Sequence, residues 1–346
     1  MTNPLGSLLS APPPTQTDAQ MLDLAARHFG LTGTLKRLTS ERDLNLLLRT
    51  ADGSGYVLKA SNPAEPPPVT EFQTLALKHI AHTAPDLPVP RVMLTQDGSS
   101  ALPLPAGGVF RVLSYLEGTP LHLAPRSNAQ RRAIGAAQAA LTRALQNFNH
   151  PAADHILLWD IKNAANLRPL LPAIADPGQR ATATAFLDRF DAVIAPALAQ
   201  MPLQVVHSDM NPHNVLVNPA NPDHIAGIID FGDMVRTPRV CDVAVAASYV
   251  IDPADPLGSL CAHFAGYHAV NPLTDAEVDL LFDLTTARLV TTLCIANWRA
   301  VQYPDNADYI LRNTAHARIG LAAFAGITPA TARDAYAAVK GHADAG

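Results

Sequence analysis

The sequence predicts an α+β protein with two lobes, in which a small mixed β-sheet with one main helix precedes a mostly helical lobe. Runs typical of strands are concentrated before Leu116, whereas apolar residues at helical spacing dominate after Ala129. The chain of 346 residues is 48% hydrophobic, which is ample for two packed lobes. We therefore expect a disordered leader at residues 1–17, an N-terminal lobe at 18–117 and a C-terminal lobe at 118–346.

The N-terminal lobe is predicted to alternate helices and strands. Met21 to Phe29 places its apolar residues on one face and reads as a short helix. Leu44 to Arg49 and Tyr56 to Ala60 are rich in apolar residues and flank a glycine-containing turn, which is typical of paired strands. Val69 to His82 has an apolar stripe and is predicted to be the main helix, and Val109 to Leu116 is predicted to be a further strand.

The C-terminal lobe is predicted to be helical after a break at Glu117 to Pro120. Five later segments repeat apolar residues with the period of a helix. These segments are Ala129 to Phe148, Ala181 to Leu198, Val240 to Ile251, Asp275 to Val301 and Asp308 to Phe324. Short strands at Val215 to Val217 and Ile225 to Ile229 interrupt the helical pattern and flank the polar segment that carries the chemistry.

Composition excludes several classes of protein. The net charge of −5 argues against a nucleic-acid-binding protein, which is usually basic. No uncharged window reaches the roughly 18 residues of a membrane-spanning helix, so we expect no membrane partner. The three cysteines, Cys241, Cys261 and Cys294, show no paired metal spacing, and their sparse, odd count indicates a reducing compartment. We therefore expect a cytoplasmic protein.

One polar segment has the residues that phosphoryl transfer requires. Asp209 is followed five residues later by Asn214 and sixteen residues after that by Asp230. Phosphoryl transfer uses one carboxylate facing the acceptor hydroxyl, and an amide with a second carboxylate holding Mg²⁺. Asp209 is therefore the candidate catalytic base, and Asn214 and Asp230 are the candidate Mg²⁺ ligands. An aspartate that only caps a turn is the alternative for Asp209, but the spacing of the other two residues favours catalysis.

This segment resembles a known superfamily. The pattern His-x-Asp-x-x-x-x-Asn from His207 to Asn214, followed by Asp-Phe-Gly from Asp230 to Gly232, resembles the catalytic core of the protein-kinase-like superfamily. The sequence Asp-Met-Asn-Pro-His-Asn resembles the aminoglycoside phosphotransferase and choline kinase branch. Gly227 to Val235 and Cys241 to Ala244 most resemble the hydroxylysine kinase family, and also the kinase-like domain fused to some class III aminotransferases. The resemblance runs from about Ser40 to about Leu311 and implies a protein-kinase-like two-lobed fold.

The resemblance implies a nucleotide site in the N-terminal lobe. Lys59 lies late in a predicted strand, where a lysine can reach nucleotide phosphates as a compact charge. Glu71 lies in the first turn of the next helix and could pair with Lys59, as the strand lysine and helix glutamate do in kinases. The alternatives are a solubilising charge on an edge strand for Lys59 and a favourable first-turn acid for Glu71.

The loop expected to cover the phosphates departs from the protein-kinase pattern. No Gly-x-Gly-x-x-Gly precedes Lys59, and Thr39 to Asn45 occupies that place. Backbone N–H groups and the Ser40 hydroxyl could bind phosphate there. Arg42 could assist, or it could pair with a neighbouring acid at the surface.

Four further residues take roles from the resemblance. Tyr115 and Leu116 end the last strand of the N-terminal lobe, where kinases bind the purine through backbone groups, so the sequence does not decide between ATP and GTP. The hydroxylysine kinase family favours GTP. His207, grouped with the catalytic residues, is implied to be a scaffold that joins the catalytic loop to the Asp230 segment. Asp242 is implied to bind the backbone of the catalytic loop.

The acceptor is expected to be a small molecule. Only Asp233 to Arg239 separates Gly232 from the next apolar helix, which leaves no room for the activation segment of a protein kinase. Within the C-terminal lobe, Trp159 and Asp160 could meet an ammonium group by cation–π contact and charge. The remaining candidates for acceptor contacts are Asn297, Arg299, which could meet a carboxylate, and Asp233. The alternative is that these tryptophan and arginine residues belong to the core and the solvated surface.

The sequence thus predicts a kinase that uses Mg²⁺ and ATP or GTP to phosphorylate a hydroxyl group on an amino acid or amino alcohol. The acceptor is expected to carry an amine as well, and 5-hydroxylysine is the first candidate. Homoserine, choline and aminoglycosides are alternatives within this class. A nucleotide-binding pseudokinase with a regulatory role is an alternative of another class, and so is a hydrolase with a metal on His207, Asp209 and His213. The oligomeric state is not predicted.

Overall fold

The computed structural model describes residues 12–40 and 42–343, and these residues form two compact units. The first unit comprises the described residues up to Gly118, with His150–His155 and Ala226–Ile229, and the second comprises Thr119–Asn149, Ile156–Ile225 and the described residues from Asp230 onwards. Most of the predicted leader and Glu41 lie outside the described residues. Residues 12–17 have no regular secondary structure.

The first unit contains a five-stranded sheet with strand order β1-β2-β3-β5-β4. Its elements are α1 (Asp18–Phe29), β1 (Thr34–Leu38), β2 (Leu44–Arg49), β3 (Gly55–Ala60), α2 (Pro67–Thr83), β4 (Leu102–Pro103) and β5 (Val109–Ser114). All four strand pairings are antiparallel, so the prediction of a mixed sheet is wrong in that detail. The predicted strands and the main helix are otherwise found within two residues of their expected bounds.

Helix α1 closes one end of this core. Thr17 and Gln20 form a capping box at its start, and Gly30 ends it in the left-handed conformation with φ of 67°. Met21 and Ala25 are fully buried, because they face the apolar side chains of the sheet. The sheet residues in this cluster include Leu46, Leu48, Leu58, Phe110 and Val112.

The sequence pattern did not indicate two strands of this sheet, the two-residue β4 and the longer β1. Only Leu35 and Leu38 are apolar among its five residues, and the strand is largely exposed at the edge of the sheet. Its pairing with β2 runs from Thr34 opposite Arg49 to Leu38 opposite Asn45. Edge strands carry polar side chains that discourage pairing with other chains, so the periodicity of β1 is weak.

The second unit is mostly helical. Its elements are β6 (Thr119–Pro120), α3 (Asn128–Ala144), α4 (Pro177–Arg189), α5 (Ala195–Leu198), β7 (Leu203–Val206), β8 (Val215–Asn218), β9 (Asn221–Ile228), β10 (Val235–Pro238), α6 (Arg239–Val250), α7 (Pro256–Val270), α8 (Asp275–Gln302), α9 (Ala307–Ala323) and α10 (Pro329–Ala343). The last residues of β9 belong to the first unit. The helix predicted from Ala181 to Leu198 is α4, a π-helical turn and α5. The sequence analysis did not identify α7 and α10.

Two small sheets hold the polar segment. β7 pairs antiparallel with β10, and Val206 lies opposite Val235. β8 lies between β6 and β9 in a three-stranded sheet. The loop from β7 to β8 and the turn from β9 to β10 therefore both begin and end on hydrogen-bonded strands, which fixes the positions of the side chains they carry.

The long helix α8 runs through the core of the second unit. A capping box of Thr274 and Glu277 starts it, and most of its side chains are buried up to Ala300. Its observed bounds differ from the predicted Asp275 to Val301 by one residue. Among the helices of the described residues, none is both long and apolar enough to cross a membrane.

Candidate active site

The loop between β7 and β8 is held in a strained conformation. Ser208 has a φ of 64°, which places a residue with a side chain in the left-handed region at a cost of about 1–3 kcal/mol. Its backbone N–H donates to Oδ1 of Asp242 at 2.7 Å, and Gln138 Nε2 donates to the other carboxylate oxygen at 2.9 Å. Asp242 is buried on α6. The predicted contact between Asp242 and the loop backbone is therefore confirmed.

His207 connects this loop to the Asp-Phe-Gly segment. Its Nδ1 accepts a hydrogen bond from the backbone N–H of Asp209 at 3.2 Å. Its ring meets the ring of Phe231 edge-on, with centroids 4.8 Å apart. The side chain is buried, so these contacts support a positioning role.

The carboxylate of Asp209 is the centre of the site. Its Oδ2 accepts hydrogen bonds from the side-chain amides of Asn211 at 2.9 Å and Asn214 at 2.8 Å. Its Oδ1 accepts a hydrogen bond from Arg288 Nη2 at 3.1 Å. The motif spacing therefore does bring Asp209 and Asn214 together, and the structure adds an arginine from a distant helix.

Charge around Asp209 is predominantly negative. The pKa of Asp209 is raised to about 7, because burial and the neighbouring carboxylates of Asp233 and Asp230 raise it by more than Arg288 lowers it. Carboxylates gathered in this way each favour a nearby positive charge. The site is therefore suited to a bound cation.

Asp230 occupies the second strained position of the site. It follows β9 with a φ of 62°, a conformation that aspartate tolerates better than most residues, and its Oδ1 accepts from Gly232 N at 3.2 Å. Its Oδ2 makes no hydrogen bond to the part of the chain that the structure describes, and neither does Oδ1 of Asn214. Mg²⁺ prefers such hard oxygen ligands, and one or two of them suffice beside nucleotide phosphates. The residues present therefore fit a divalent ion bound together with a nucleotide.

A metal site formed by protein side chains alone, without a nucleotide, is a separate question. No group of three or more histidine, cysteine or acidic side chains within residues 12–40 and 42–343 could hold a metal ion by itself. His213 instead lies against the ring of His122, with centroids 4.0 Å apart. The alternative of a hydrolase metal on His207, Asp209 and His213 has no support in the described residues.

Arg288 is the site residue that the sequence analysis missed. Its side chain is only 4% exposed, and besides Asp209 it donates to the hydroxyl of Tyr249 at 3.1 Å and to the backbone oxygen of Trp159 at 3.3 Å. Its guanidinium lies 5.0 Å from the ring centroid of Trp159 and 5.7 Å from that of Tyr249. One signal was present in the sequence: Arg288 falls in the apolar stripe of α8, in helical register with Leu281, Leu284 and Ile295.

The predicted pair of Trp159 and Asp160 does not present a carboxylate to an ammonium group. Asp160 is 1% exposed, and its Oδ1 accepts hydrogen bonds from Lys162 N and Thr237 Oγ1. Lys162 Nζ also forms an ion pair with it at 3.1 Å. These contacts give Asp160 a structural role at the start of a 3₁₀ helix. Trp159 faces Arg288 instead.

The other predicted acceptor residues divide into two groups. Asp233 influences the pKa of both Asp209 and Arg288, so it lies near the site. Arg299 follows Arg288 on α8, about 16 Å further along the helix axis. Asn297 donates to the backbone oxygen of Leu293 within the same helix. The structure therefore does not bring Asn297 and Arg299 to Asp209, because the rise of the helix separates them.

In the first unit, Lys59 has a partner other than the predicted one. Its Nζ lies 2.6 Å from Oδ2 of Asp43, and the two side chains are 14% and 15% exposed. Glu71 is 66% exposed and lies 4.0 Å from His150 Nε2. The expected Lys59–Glu71 pair is therefore wrong for this structure. Burial raises the pKa of Asp43, but Lys59 and the backbone N–H of Asn62 outweigh burial and hold it below the usual value.

The remaining residues predicted to bind the nucleotide lie just before β2 or just after β5. Ser40 Oγ accepts from the backbone N–H of Asp43 at 3.2 Å, and the backbone oxygen of Arg42 accepts from the side chain of Asn62. The backbone N–H of Tyr115 is already bonded to the Gly55 oxygen at 3.0 Å. Leu116 follows as the first residue beyond that bond. The phosphate-binding and purine-binding roles of these residues stay predictions.

The chain is similar to known phosphotransferases and kinases. The sequence model of the phosphotransferase enzyme family (APH) matches residues 34–279. The chain is 28% identical over 326 residues to hydroxylysine kinase of Mus musculus, covering 86% of each protein. It is 27% identical over 304 residues to homoserine kinase of Acidiphilium cryptum (strain JF-5), covering 82% of this chain and 88% of that protein.

A solved structure has the same fold. Amicoumacin kinase hAmiN in complex with AMP-PNP, Ca²⁺ and Ami matches with a TM-score of 0.65 at 15% identity, covering 87% of this chain and 93% of that chain. At this identity the likeness concerns the fold alone. The predicted α+β, protein-kinase-like architecture is thereby confirmed.

Proposed function

Because the chain belongs to the phosphotransferase enzyme family and is a small-molecule kinase, we propose that its acceptor is a hydroxylated amino acid or amino alcohol. 5-Hydroxylysine is the first candidate, since the similarity to hydroxylysine kinase spans 86% of both proteins. Homoserine is the second, on the similarity to homoserine kinase. The structural observation that carries the proposal is the Asp209 carboxylate, 17% exposed and held by two amide groups and an arginine.

Asp209 would act on the acceptor hydroxyl. A carboxylate within hydrogen-bonding distance orients the hydroxyl and accepts its proton as the phosphoryl group is transferred. The amides of Asn211 and Asn214 fix Oδ2, and Arg288 fixes Oδ1. The carboxylate is therefore oriented before the acceptor binds, which is what positioning in phosphoryl transfer requires.

The divalent metal proposed for this enzyme is Mg²⁺. Asn214 Oδ1 and the carboxylate of Asp230 would hold it, and when bound with the nucleotide it neutralises charge on the phosphate oxygens. Asn214 would then have two tasks, because its amide nitrogen bonds Asp209 and its oxygen would hold the metal. The left-handed backbone at Asp230 sets the direction of its carboxylate.

The nucleotide would bind through the first unit. Lys59 would contact the phosphates, with Asp43 orienting it in the place that Glu71 was predicted to take. Ser40 and Arg42 would contribute from the loop before β2. The purine would meet backbone groups from Leu116 onwards, since the N–H of Tyr115 is already bonded. Either ATP or GTP satisfies such contacts, and the resemblance to hydroxylysine kinase favours GTP.

The thiols are consistent with a cytoplasmic location, which we also propose. Cys241, Cys261 and Cys294 are the three cysteines of the chain, and all are free. Burial raises the pKa of Cys294 to about 12, so its thiol is unreactive. Proteins of oxidising compartments more often pair their cysteines.

The test is a coupled assay of nucleoside diphosphate release with Mg²⁺. ATP and GTP are compared in parallel with 5-hydroxylysine, homoserine, choline and an aminoglycoside as acceptors. Release stimulated by one acceptor and lost in Asp209→Asn would support the proposal. Asp279→Asn is the matched control, because this exposed aspartate on α8 has only a long ion pair with Arg333 at 3.9 Å.

Two results would contradict the proposal. Unchanged turnover in Asp209→Asn would show that Asp209 is not the base. Nucleotide binding without release for any acceptor in the panel would favour the pseudokinase alternative, in which Asp209 has no chemical task.

A further inference from the structure

Arg288 has an unused hydrogen-bond donor beside the catalytic carboxylate. The side chain is 4% exposed, and a buried guanidinium requires partners because removing its charge from water is costly. Its two terminal nitrogens donate to Asp209, Tyr249 and Trp159. Its Nε is also buried and has no hydrogen-bond partner among the described residues. Buried donors of this kind nearly always have one, so a bound group is indicated.

A second unused polar atom lies against the same tyrosine. The ring of His316, on α9, stacks on Tyr249 with centroids 4.9 Å apart and planes 15° from parallel. Its Nε2 is buried and has no partner in the described part of the chain. The pKa of His316 is lowered to about 4, because burial, Arg126 and Arg288 lower it by more than a backbone hydrogen bond at Ser248 raises it. His316, whose Nε2 has no partner among the described residues, and Arg288 therefore contact the same tyrosine.

The aromatic rings of the site are already occupied. Arg288 lies over the rings of Trp159 and Tyr249, at 5.0 Å and 5.7 Å from their centroids. A quaternary or primary ammonium would need such a ring face for cation–π contact, and it would meet the charge of the guanidinium there. An acceptor that brings only positive charge therefore gains no cation–π contact on the ring faces that Arg288 covers.

We propose that Arg288 is a carboxylate-binding residue of the acceptor site, so that the acceptor is a hydroxylated amino acid and not an amino alcohol, choline or an aminoglycoside. The Nε–H of Arg288 donates to the carboxylate, and the same guanidinium holds Asp209 through Nη2. The acceptor carboxylate and Asp209, which binds the reacting hydroxyl, thus share one guanidinium, so Arg288 positions both ends of the acceptor. The free Nε2 of His316 provides an acceptor for the α-ammonium group of the same molecule. This inference rests on the proposed kinase function and makes its acceptor class more specific.

Matched pairs of ligands test the proposal on the wild-type full chain. 5-Hydroxylysine is compared with 1,5-diaminopentan-2-ol, and homoserine with 3-aminopropan-1-ol, so that each pair differs only by the carboxylate. Binding is measured by calorimetry in the presence of Mg²⁺ and nucleoside diphosphate, and turnover by phosphate transfer. We expect at least one acid to bind at least tenfold more tightly than its decarboxylated partner. Equal binding within both pairs, or no measurable binding of either acid, would overturn the proposal.

Variants test whether the preference for the acid over its decarboxylated partner depends on Arg288. Arg288→Gln should reduce the acid-to-amine affinity ratio towards one, and Arg288→Lys should keep part of it, because lysine retains the charge without the planar fork. Arg143→Gln is the control, since that arginine of α3 only donates to the backbone oxygen of Val270. A fall in affinity for both members of a pair by the same factor would show a structural role and contradict the proposal. If Arg288→Gln does not fold, Arg288→Lys and the wild-type ratio still decide the question.

Different results would refute the proposed kinase function and the proposed role of Arg288. Acid-selective binding that depends on Arg288, without phosphoryl transfer, would leave the carboxylate site in place and refute the proposed kinase reaction on these acceptors. Phosphoryl transfer to a decarboxylated partner as efficient as to the acid would keep the kinase function and refute the role of Arg288.

Discussion

Arg288 Nη2 lies 3.1 Å from Oδ1 of Asp209, and this contact joins the middle of α8 to the loop between β7 and β8. Burial raises the pKa of Asp209, and Arg288 is the positive charge that opposes this increase. The guanidinium in turn depends on Asp209, which is the only carboxylate with which it forms an ion pair among the described residues. The two residues therefore orient each other, and a change in one is expected to alter the site of the other.

Replacing Asp209 by asparagine should remove catalysis while preserving the fold. The asparagine oxygen can still accept from Arg288, but the side chain can no longer accept a proton. We expect kcat to fall by about 10²–10⁴-fold, the usual contribution of a general base. Nucleotide affinity, measured by calorimetry, should change little, because the nucleotide residues proposed here lie elsewhere. A fall in kcat of less than tenfold would argue that Asp209 only positions the acceptor.

The sequence predicted the parts of the site that lie close together in the chain. Asp209, Asn214 and Asp230 belong to one segment with strands before and after it, so their spacing carries the information. Arg288 could not be predicted in this way, because it lies 79 residues from Asp209 and reaches it only through the packing of α8. Its place in the apolar stripe of α8 is a signal of burial, but only the tertiary structure shows that it contacts Asp209.

The partner of Lys59 could likewise not be predicted from sequence spacing. Sequence spacing placed Glu71 in the first turn of the helix, but α2 begins at Pro67, so Glu71 lies beyond the first turn, and spacing did not give the direction of its side chain. Asp43 lies next to the start of β2, and the register of β2 and β3 puts Asn45 opposite Lys59. That register brings Asp43 within reach of Lys59. Strand β1 was missed for a related reason, because an exposed edge strand has little apolar periodicity.

Removal of Asn214 should weaken metal-dependent nucleotide binding. Asn214→Ala deletes the proposed metal oxygen and the 2.8 Å hydrogen bond to Asp209. We expect the Mg²⁺ concentration for half-maximal activity to increase about 10-fold or more, as is typical when a residue that supports a metal site is removed. Calorimetry of nucleoside diphosphate binding at several Mg²⁺ concentrations gives a readout independent of turnover.

Asn221→Ala is a suitable comparison for this experiment. Asn221 is exposed at the start of β9, and its side chain accepts only from the backbone N–H of Asp223. An equal shift in the Mg²⁺ requirement for both variants would indicate a general loss of stability. An unchanged requirement in Asn214→Ala would remove Asn214 from the proposed metal ligands.

The nucleotide affinity should depend on Asp43 more than on Glu71. Asp43→Asn removes the charge that holds Lys59 at 2.6 Å, so Lys59 loses its fixed orientation. We expect KM for the nucleotide to increase about 5–30-fold, which corresponds to about 1–2 kcal/mol. Glu71→Gln should change KM by less than about twofold, because its exposed side chain makes only a long contact to His150. A larger increase in KM for Glu71→Gln than for Asp43→Asn would instead support the Lys59–Glu71 pair that kinases have.

The ion pair between Arg239 and Glu277 should make stability depend on pH. The carboxylate accepts from Arg239 Nε at 2.7 Å and from Nη2 at 2.8 Å. Burial raises the pKa of Glu277, but Arg239 and the backbone N–H of Thr274 outweigh it and hold the pKa below its usual value. A carboxylate with a lowered pKa in the folded state contributes stability above its unfolded pKa, and this contribution is lost as the pH falls through the folded pKa.

We therefore expect Glu277→Gln to lower the free energy of unfolding by about 1–3 kcal/mol at pH 7, the range for hydrogen bonds to charged groups. The difference from wild type should shrink as the pH falls below about 4.3, the usual pKa of a glutamate, because the wild-type carboxylate then becomes protonated in both states. Urea unfolding at pH 7 and at pH 4 or below measures this difference. Asp279→Asn, on the exposed face of the same helix, should cost less than about 0.5 kcal/mol at either pH. A difference for Glu277→Gln that stays constant with pH would mean that packing, and not charge, is what Glu277 contributes to the start of α8.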